Sequence, residues 1–224
     1  MRHNSSFVIK MFLGTLFLLS AVCSVASCCN SDKSQDGAEE NGNGKGSADV
    51  VKKYKEIDYP TPNFDPEKTN DVQGVILHHT AEPTVESSLR VLTVGERHVG
   101  THVVIDTDGT RYIMCSPTTV TYHAGPSVLA GRESCNEFTI GIEFQGNTLE
   151  KPLTAEQRES AIDYLLPLMA QYNIPIENVV THEMIREAYK RKYPNKRVSG
   201  KVDITQVEYR KFMKELREAT HRNS

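Results

Sequence analysis

The chain has 224 residues, of which 25% are charged and 38% hydrophobic, and its formal net charge is -3. That length holds one ordinary globular domain with appendages. The slightly acidic balance excludes the overall basic character of a nucleic-acid binder, so no nucleic-acid partner is expected.

Much of the apolar content sits at the start, in "FVIKMFLGTLFLLSAVCSVASC", which follows Arg2 and precedes polar residues. A basic start, an apolar core and small residues before a cut describe a secretory signal, and residues 11–22 are short for a membrane span. The last four residues, "VASC" at 25–28, resemble the bacterial lipobox, whose cysteine becomes acylated. Residues 1–28 are thus read as a lipoprotein signal peptide with Cys28 as the lipidated mature N-terminus. The expected address is that of an exported, membrane-anchored lipoprotein on the periplasmic or surface face of an outer membrane. The bland alternative is a plain secretory signal cut nearby.

Residues 29–53 begin "CNSDKSQDGAEENGNGKGSA" and carry too little apolar surface to offset their ordering entropy, so they read as a flexible linker. Of five cysteines, Cys29, Cys115 and Cys135 remain after processing. An odd number predicts at least one free thiol, with a Cys115–Cys135 bridge left open.

The folded domain is expected over 54–224. "GVILHHT" (74–80) reads as a short buried strand. "TVESSLRVLTVGER" (84–97) places Val85, Leu89 and Leu92 at helical spacing behind a threonine cap. "THVVIDTDGTRYIMC" reads as a hairpin turning at Asp108-Gly109. "TVTYHAG" and "FTIGIEFQG" are further strands. "TAEQRESAIDYLLPLMAQYN" (154–173) is a helix with a Thr154/Gln157 capping box and an apolar stripe of Ala161, Ile162, Leu165, Met169 and Tyr172, with Pro167 expected to kink it. "NVVTHEM" is a strand end and "TQVEYRKFMKELREA" an amphipathic helix. Interleaved strands and helices predict an α/β (α+β) single domain, one central mixed sheet flanked by helices.

The polar residues within these strands do not suit a bland core. Successive side chains of a strand point to opposite faces, so His78 and His79 cannot both serve one site. His123 and His182 also sit at strand ends, and Glu143 interrupts "TIGIEF", where a carboxylate is costly unless paired or functional. Imidazoles and carboxylates at strand ends are the usual ligands of catalytic zinc. "HEMIR" (182–186) fails as a zincin helix because Arg186 stands where the second histidine belongs.

The ordered set "GVILHHTA", "GTHVVIDTDGTRYIM", "YHAGPS", "CNEFTIGIEFQGN", "TAEQ", "THEM" and "KVD", over about residues 72–205, resembles the zinc-dependent N-acetylmuramoyl-L-alanine amidases related to peptidoglycan recognition proteins and phage T7 lysozyme. The resemblance implies a Zn²⁺ cofactor held by His78, His182 and Asp203, with His79 structural. It further implies Glu143 as the catalytic carboxylate, Lys201 of the K-x-D segment as the oxyanion donor, and His123 at the substrate-binding edge. Thr101 stands where some members carry a tyrosine, and with His102 it is placed among the substrate-binding residues.

Two departures are visible. Ile204 replaces the usual proline after the aspartate, and "MIREAYKRKYPNKRVSG" reads as a basic insertion that separates His182 from Asp203 by 21 positions. The implied activity is hydrolysis of the amide between N-acetylmuramic acid and L-alanine in peptidoglycan or muropeptides, by a monomer. The rival readings are a recognition module without turnover and a zinc peptidase cutting within the stem peptide. All three ligand positions carry competent residues, which favours the enzyme.

Overall fold

The computed structural model describes residues 53–94, 98–198, 200 and 203–222. The signal and its Cys28, nearly all of the linker, and Lys201 lie outside the described residues. The first half of the domain holds β1 (Glu56–Asp58), β2 (Phe64–Thr69), β3 (Gly74–His79), α1 (Val85–Val94), β4 (Val103–Ile105), β5 (Arg111–Ile113) and β6 (Thr119–Thr121). The second half holds β7 (Val128–Leu129), β8 (Arg132–Glu133), β9 (Thr139–Phe144), α2 (Ala155–Tyr172), β10 (Val179–Thr181), α3 (His182–Lys192) and α4 (Gln206–Arg222).

Six strands form the central sheet in the order β1-β5-β4-β9-β3-β10. Only β4 and β5 pair antiparallel; every other neighbouring pair is parallel. The mixed sheet expected from the sequence is therefore present, but not all strands join it. β6 pairs with β2, and β7 with β8, as separate two-stranded ladders.

Strand alternation divides the core into two layers. Val75 and Leu77 of β3, Val103 and Ile105 of β4, and Ile140, Ile142 and Phe144 of β9 pack against Ala161, Leu165 and Met169 of α2 and Phe212 and Leu216 of α4. Ile76 of β3 faces the other way, with Val180 of β10 and Ile185 of α3. Val104 of β4 likewise turns toward Val85, Leu89 and Leu92 of α1. Helices thus cover both faces, as the continuous apolar runs of parallel strands require.

Local signals explain where the elements begin and turn. Thr154 and Gln157 exchange both capping-box hydrogen bonds at the start of α2, and Thr84 caps α1 by accepting the backbone N–H of Ser87. α2 continues through Pro167 rather than ending there. The β4–β5 hairpin turns through residues 107–109, a loop of three residues rather than a two-residue pair, with Gly109 at φ 84°. Buried Arg111 of β5 is satisfied by Ser160, Glu56 and Asp163. Cys115 and Cys135 are both free thiols, so the bridge left open by the sequence is not formed.

The segment read as a basic insertion is helical over its first nine residues, 184–192. Residues 182–192 form α3, and Arg186 is buried on it. The HExx opening of a zincin helix was therefore a helix in fact, although its fifth residue is not a ligand.

Candidate metal centre

His78 occupies the face of β3 that looks toward α1 and α3, and its register partner on β9 is Glu143. Parallel strands place register partners side by side on the same face, so this pairing aligns the two side chains. His182 is the first residue of α3, directly after β10, rather than the end of a strand. β10 pairs with β3 on the edge away from β9, and this brings His182 beside His78 from the other side. Asp203 arrives from the segment before α4 and is fully buried.

The three converge: one ligand atom from each of His78, His182 and Asp203 lies within 4.8 Å of the others. Asp203 Oδ2 is 2.7 Å from His182 Nδ1, and Oδ1 is 3.5 Å from His78 Nδ1.

Hydrogen bonds assign the ring nitrogens. His182 Nε2 lies 3.1 Å from the carbonyl of Ala124, which only accepts, so Nε2 carries the proton. The Thr139 hydroxyl donates to the Cys135 carbonyl at 2.6 Å and so accepts from His123 Nε2 at 3.4 Å. His123 Nδ1 is then left to accept from His78 Nε2 at 3.3 Å. Both histidines therefore turn Nδ1 lone pairs toward the Asp203 carboxylate while they are neutral.

A nitrogen lone pair 2.7 Å from a carboxylate oxygen is repulsive unless a proton or a metal cation lies between them. This donor set fits zinc, which takes nitrogen and oxygen ligands, with the second ring nitrogen of each histidine held by an outer partner.

The cluster opens into a cavity of about 650 Å³ whose walls include Glu143, Tyr122, Pro126, Asn136 and Arg186. Glu143 is buried, and its Oε2 has no hydrogen-bond partner among the described residues. Such an oxygen is expensive in a core and useful beside a substrate.

His123 lines the cavity, as a substrate-edge residue should, but its ring also stands behind His78. Its pKa is pushed well below the usual range by burial and by the neighbouring histidines. Gly141 makes room for it: a Cβ there would come within 2.7 Å of the His123 ring.

Thr101 and His102, expected at the substrate edge, are instead fully buried and form no part of the cavity wall. His102 Nδ1 accepts the backbone N–H of Gly141, and Nε2 donates to the carbonyl of Thr119. The ring is a neutral bridge between strands, its pKa lowered by burial to about 4. His79 leaves the opposite face of β3 and bonds to Thr148. Arg186, which composition offers only as one member of a basic run, is buried on the cavity wall.

Fold and cluster together define an α/β protein with a candidate His-His-Asp metal centre at the base of a cleft. A family model described as N-acetylmuramoyl-L-alanine amidase matches residues 68–196, over half of the chain, and the chain belongs to this family. The match ends before Asp203, which the three-dimensional arrangement places beside His78 and His182.

Among relatives, the chain is 39% identical over 64 residues to the 1,6-anhydro-N-acetylmuramyl-L-alanine amidase AmpD of Enterobacter cloacae, covering 29% of this chain and 34% of that one. It is 34% identical over 90 residues to AmpD of Haemophilus influenzae, covering 39% and 47%. The matches thus span less than half the length of either relative. Among solved structures, a selenomethionine AmpD derivative superposes with a TM-score of 0.55 at 20% identity, covering 72% of this chain and 95% of that one. A mutant endolysin from Bacillus subtilis gives 0.52 at 23% identity, covering 73% and 99%. These likenesses show that the fold is shared.

Proposed function

We propose that the chain hydrolyses the amide bond between N-acetylmuramic acid and the L-alanine of the stem peptide, in peptidoglycan or in released muropeptides. The observation that carries the reading is the convergence of His78, His182 and Asp203 at the base of a cavity that also holds the unpartnered Glu143 carboxylate. The names of the AmpD relatives support the substrate class.

His78, His182 and Asp203 would hold zinc, which supplies Lewis acidity to acidify water and polarise a carbonyl. Glu143 takes the proton from the attacking water as its oxygen bonds to the amide carbon. The same carboxyl then gives that proton to the alanine nitrogen as the C–N bond breaks, so the carboxylate is regenerated. Lys201 is assigned as donor to the carbonyl oxygen from the resemblance of "KVD" to the family's K-x-D segment; removal of such a donor in other enzymes costs on the order of 10²–10³ in rate. His123 orients His78 and borders the substrate.

The proposal includes export as a monomeric lipoprotein, held by lipid on Cys28 to the periplasmic or surface face of an outer membrane with residues 29–53 as tether. It rests on the lipobox-like "VASC" and the polar, glycine-rich stretch after it. No helix among the described residues is long and apolar enough to cross a membrane.

The test is digestion of purified peptidoglycan by the 224-residue chain, with and without a chelator, followed by mass analysis. Stem peptides beginning with L-alanine, lost on chelation and restored by zinc, are the expected products. Cuts within the stem would establish a peptidase instead, and retention on the wall without release would establish a recognition module.

A further inference from the structure

We propose that His79, the second histidine of the doublet, is a positioning residue for Asp203, acting from the far face of the sheet through Thr148 and Thr205. The inference rests on the zinc reading above.

The contacts run in one direction. His79 Nδ1 faces the backbone N–H of Thr148 at 3.1 Å and its hydroxyl at 2.9 Å. An N–H can only donate, so Nδ1 carries a lone pair and the hydroxyl proton of Thr148 is directed at the same ring. The hydroxyl oxygen is thereby turned to accept the backbone N–H of Thr205, at 3.0 Å. Thr205 stands two residues after Asp203, and the residue between them, Ile204, is fully buried in the core beneath α2 and α4. Asp203 is thus flanked by a side chain locked into apolar packing and by a backbone N–H held on the His79–Thr148 pair.

The connection before Asp203 makes this arrangement necessary. α3 ends at Lys192, and ten residues intervene before Asp203. A metal centre needs its ligands held to within about 0.5 Å, and Asp203 follows a connection of ten residues rather than the end of a helix or strand. The tether at Thr205 and the buried Ile204 set that position whatever the length of chain before them. His78 and His79 therefore serve one centre from opposite faces of β3, the first as a ligand and the second by fixing the segment that delivers another ligand.

The test compares Thr148→Val, which keeps the branched shape and removes the hydroxyl, with Thr148→Ser, which restores it. Zinc affinity of the purified chain is measured by competition with a chromophoric chelator, alongside the melting temperature of the zinc-free protein. Met169→Ala, a core substitution on α2 that forms no part of the cavity wall, calibrates the effect of general destabilisation. The expected result is zinc binding weakened at least about tenfold in Thr148→Val, the scale of outer-shell losses in other metal sites, and return to within about twofold of wild type in Thr148→Ser. Wild-type affinity in Thr148→Val, or a loss no greater than that of Met169→Ala at equal destabilisation, overturns the proposal while the zinc reading stands. A wild-type chain that takes no zinc overturns that reading, and this inference with it.

Discussion

His182 Nδ1 and Asp203 Oδ2 lie 2.7 Å apart although the residues are 21 positions apart in the chain. With His182 Nε2 committed to the Ala124 carbonyl, the facing nitrogen and oxygen have no proton to share while the imidazole is neutral. With His78 beside them, the pair forms a candidate cation site. Its stability in the folded state depends on what fills it.

Zinc should therefore stabilise the native chain by mass action, since the unfolded chain does not present this arrangement. At a free concentration about 100 times the dissociation constant the gain is about 2.7 kcal/mol. Melting curves with increasing zinc should shift upward for the wild type and stay flat for Asp203→Asn. An equal shift in both would remove Asp203 from the ligand set.

Glu143→Gln keeps the size of the side chain and removes the base. Zinc affinity should be near that of the wild type while amide hydrolysis falls by about 10²–10⁴, the usual contribution of a positioned general base. The two are separable in one preparation, by chelator competition and by product mass. Turnover within a few-fold of the wild type would exclude Glu143 from proton transfer.

Gly141→Ala tests the support behind His78. The added Cβ would meet the His123 ring at 2.7 Å, and that ring is hemmed in by His78, His102 and Thr139. The ring must move, and the acceptor for His78 Nε2 moves with it. Zinc affinity should drop by about tenfold or more, as for other disturbed outer-shell partners. Unchanged affinity would show that His78 needs no support from His123.

Acid should weaken the fold through His102. Its pKa falls from 6.5 to about 4 on folding because burial penalises the charged ring. Between those values the unfolded chain binds a proton that the native chain refuses, so stability is greatest above pH 6.5 and declines as the pH falls toward 4. The loss is on the order of 3 kcal/mol. Denaturant midpoints from pH 7 to 4 should fall less steeply in His102→Gln than in the wild type, and parallel slopes would contradict the assignment.

The core offers a control away from the site. Phe212 of α4 is fully buried against Phe144 of β9, with ring centroids 6.0 Å apart. Phe212→Ala should cost about 3–5 kcal/mol of stability through lost burial and the cavity left behind. Chemical denaturation of the zinc-loaded and zinc-free chain should show that loss in both.

Local rules carried much of the fold. The capping box of α2, the apolar stripes of α1, α2 and α4 and the β4–β5 hairpin all follow from spacing and turn chemistry, which act between residues a few positions apart. The same strand alternation separated His78 from His79 and put Glu143 on the face of His78 once β3 and β9 paired. Family resemblance had already named His78, His182 and Asp203 as a ligand set.

Other features arise only when distant segments meet. Thr101 and His102 follow a strand-like pattern that does not reveal full burial, which depends on β9 and β6 closing over them. The basic run after His182 reads as solvent-facing by composition, yet packing of α3 on the sheet buries Arg186 beside Ile185 and leaves Arg191 and Lys192 exposed. The return of Asp203 was fixed neither by the ten residues before it nor by its own motif. It depends on Ile204 entering the core and on Thr205 meeting Thr148, contacts between chain segments that no local periodicity encodes. Sequence determined which residue types could bind a metal and that His78 and His79 would face opposite sides of β3, while the family resemblance chose His78. Tertiary structure decided which nitrogens point inward and how Asp203 reaches them, because those depend on hydrogen bonds across the sheet rather than along the chain.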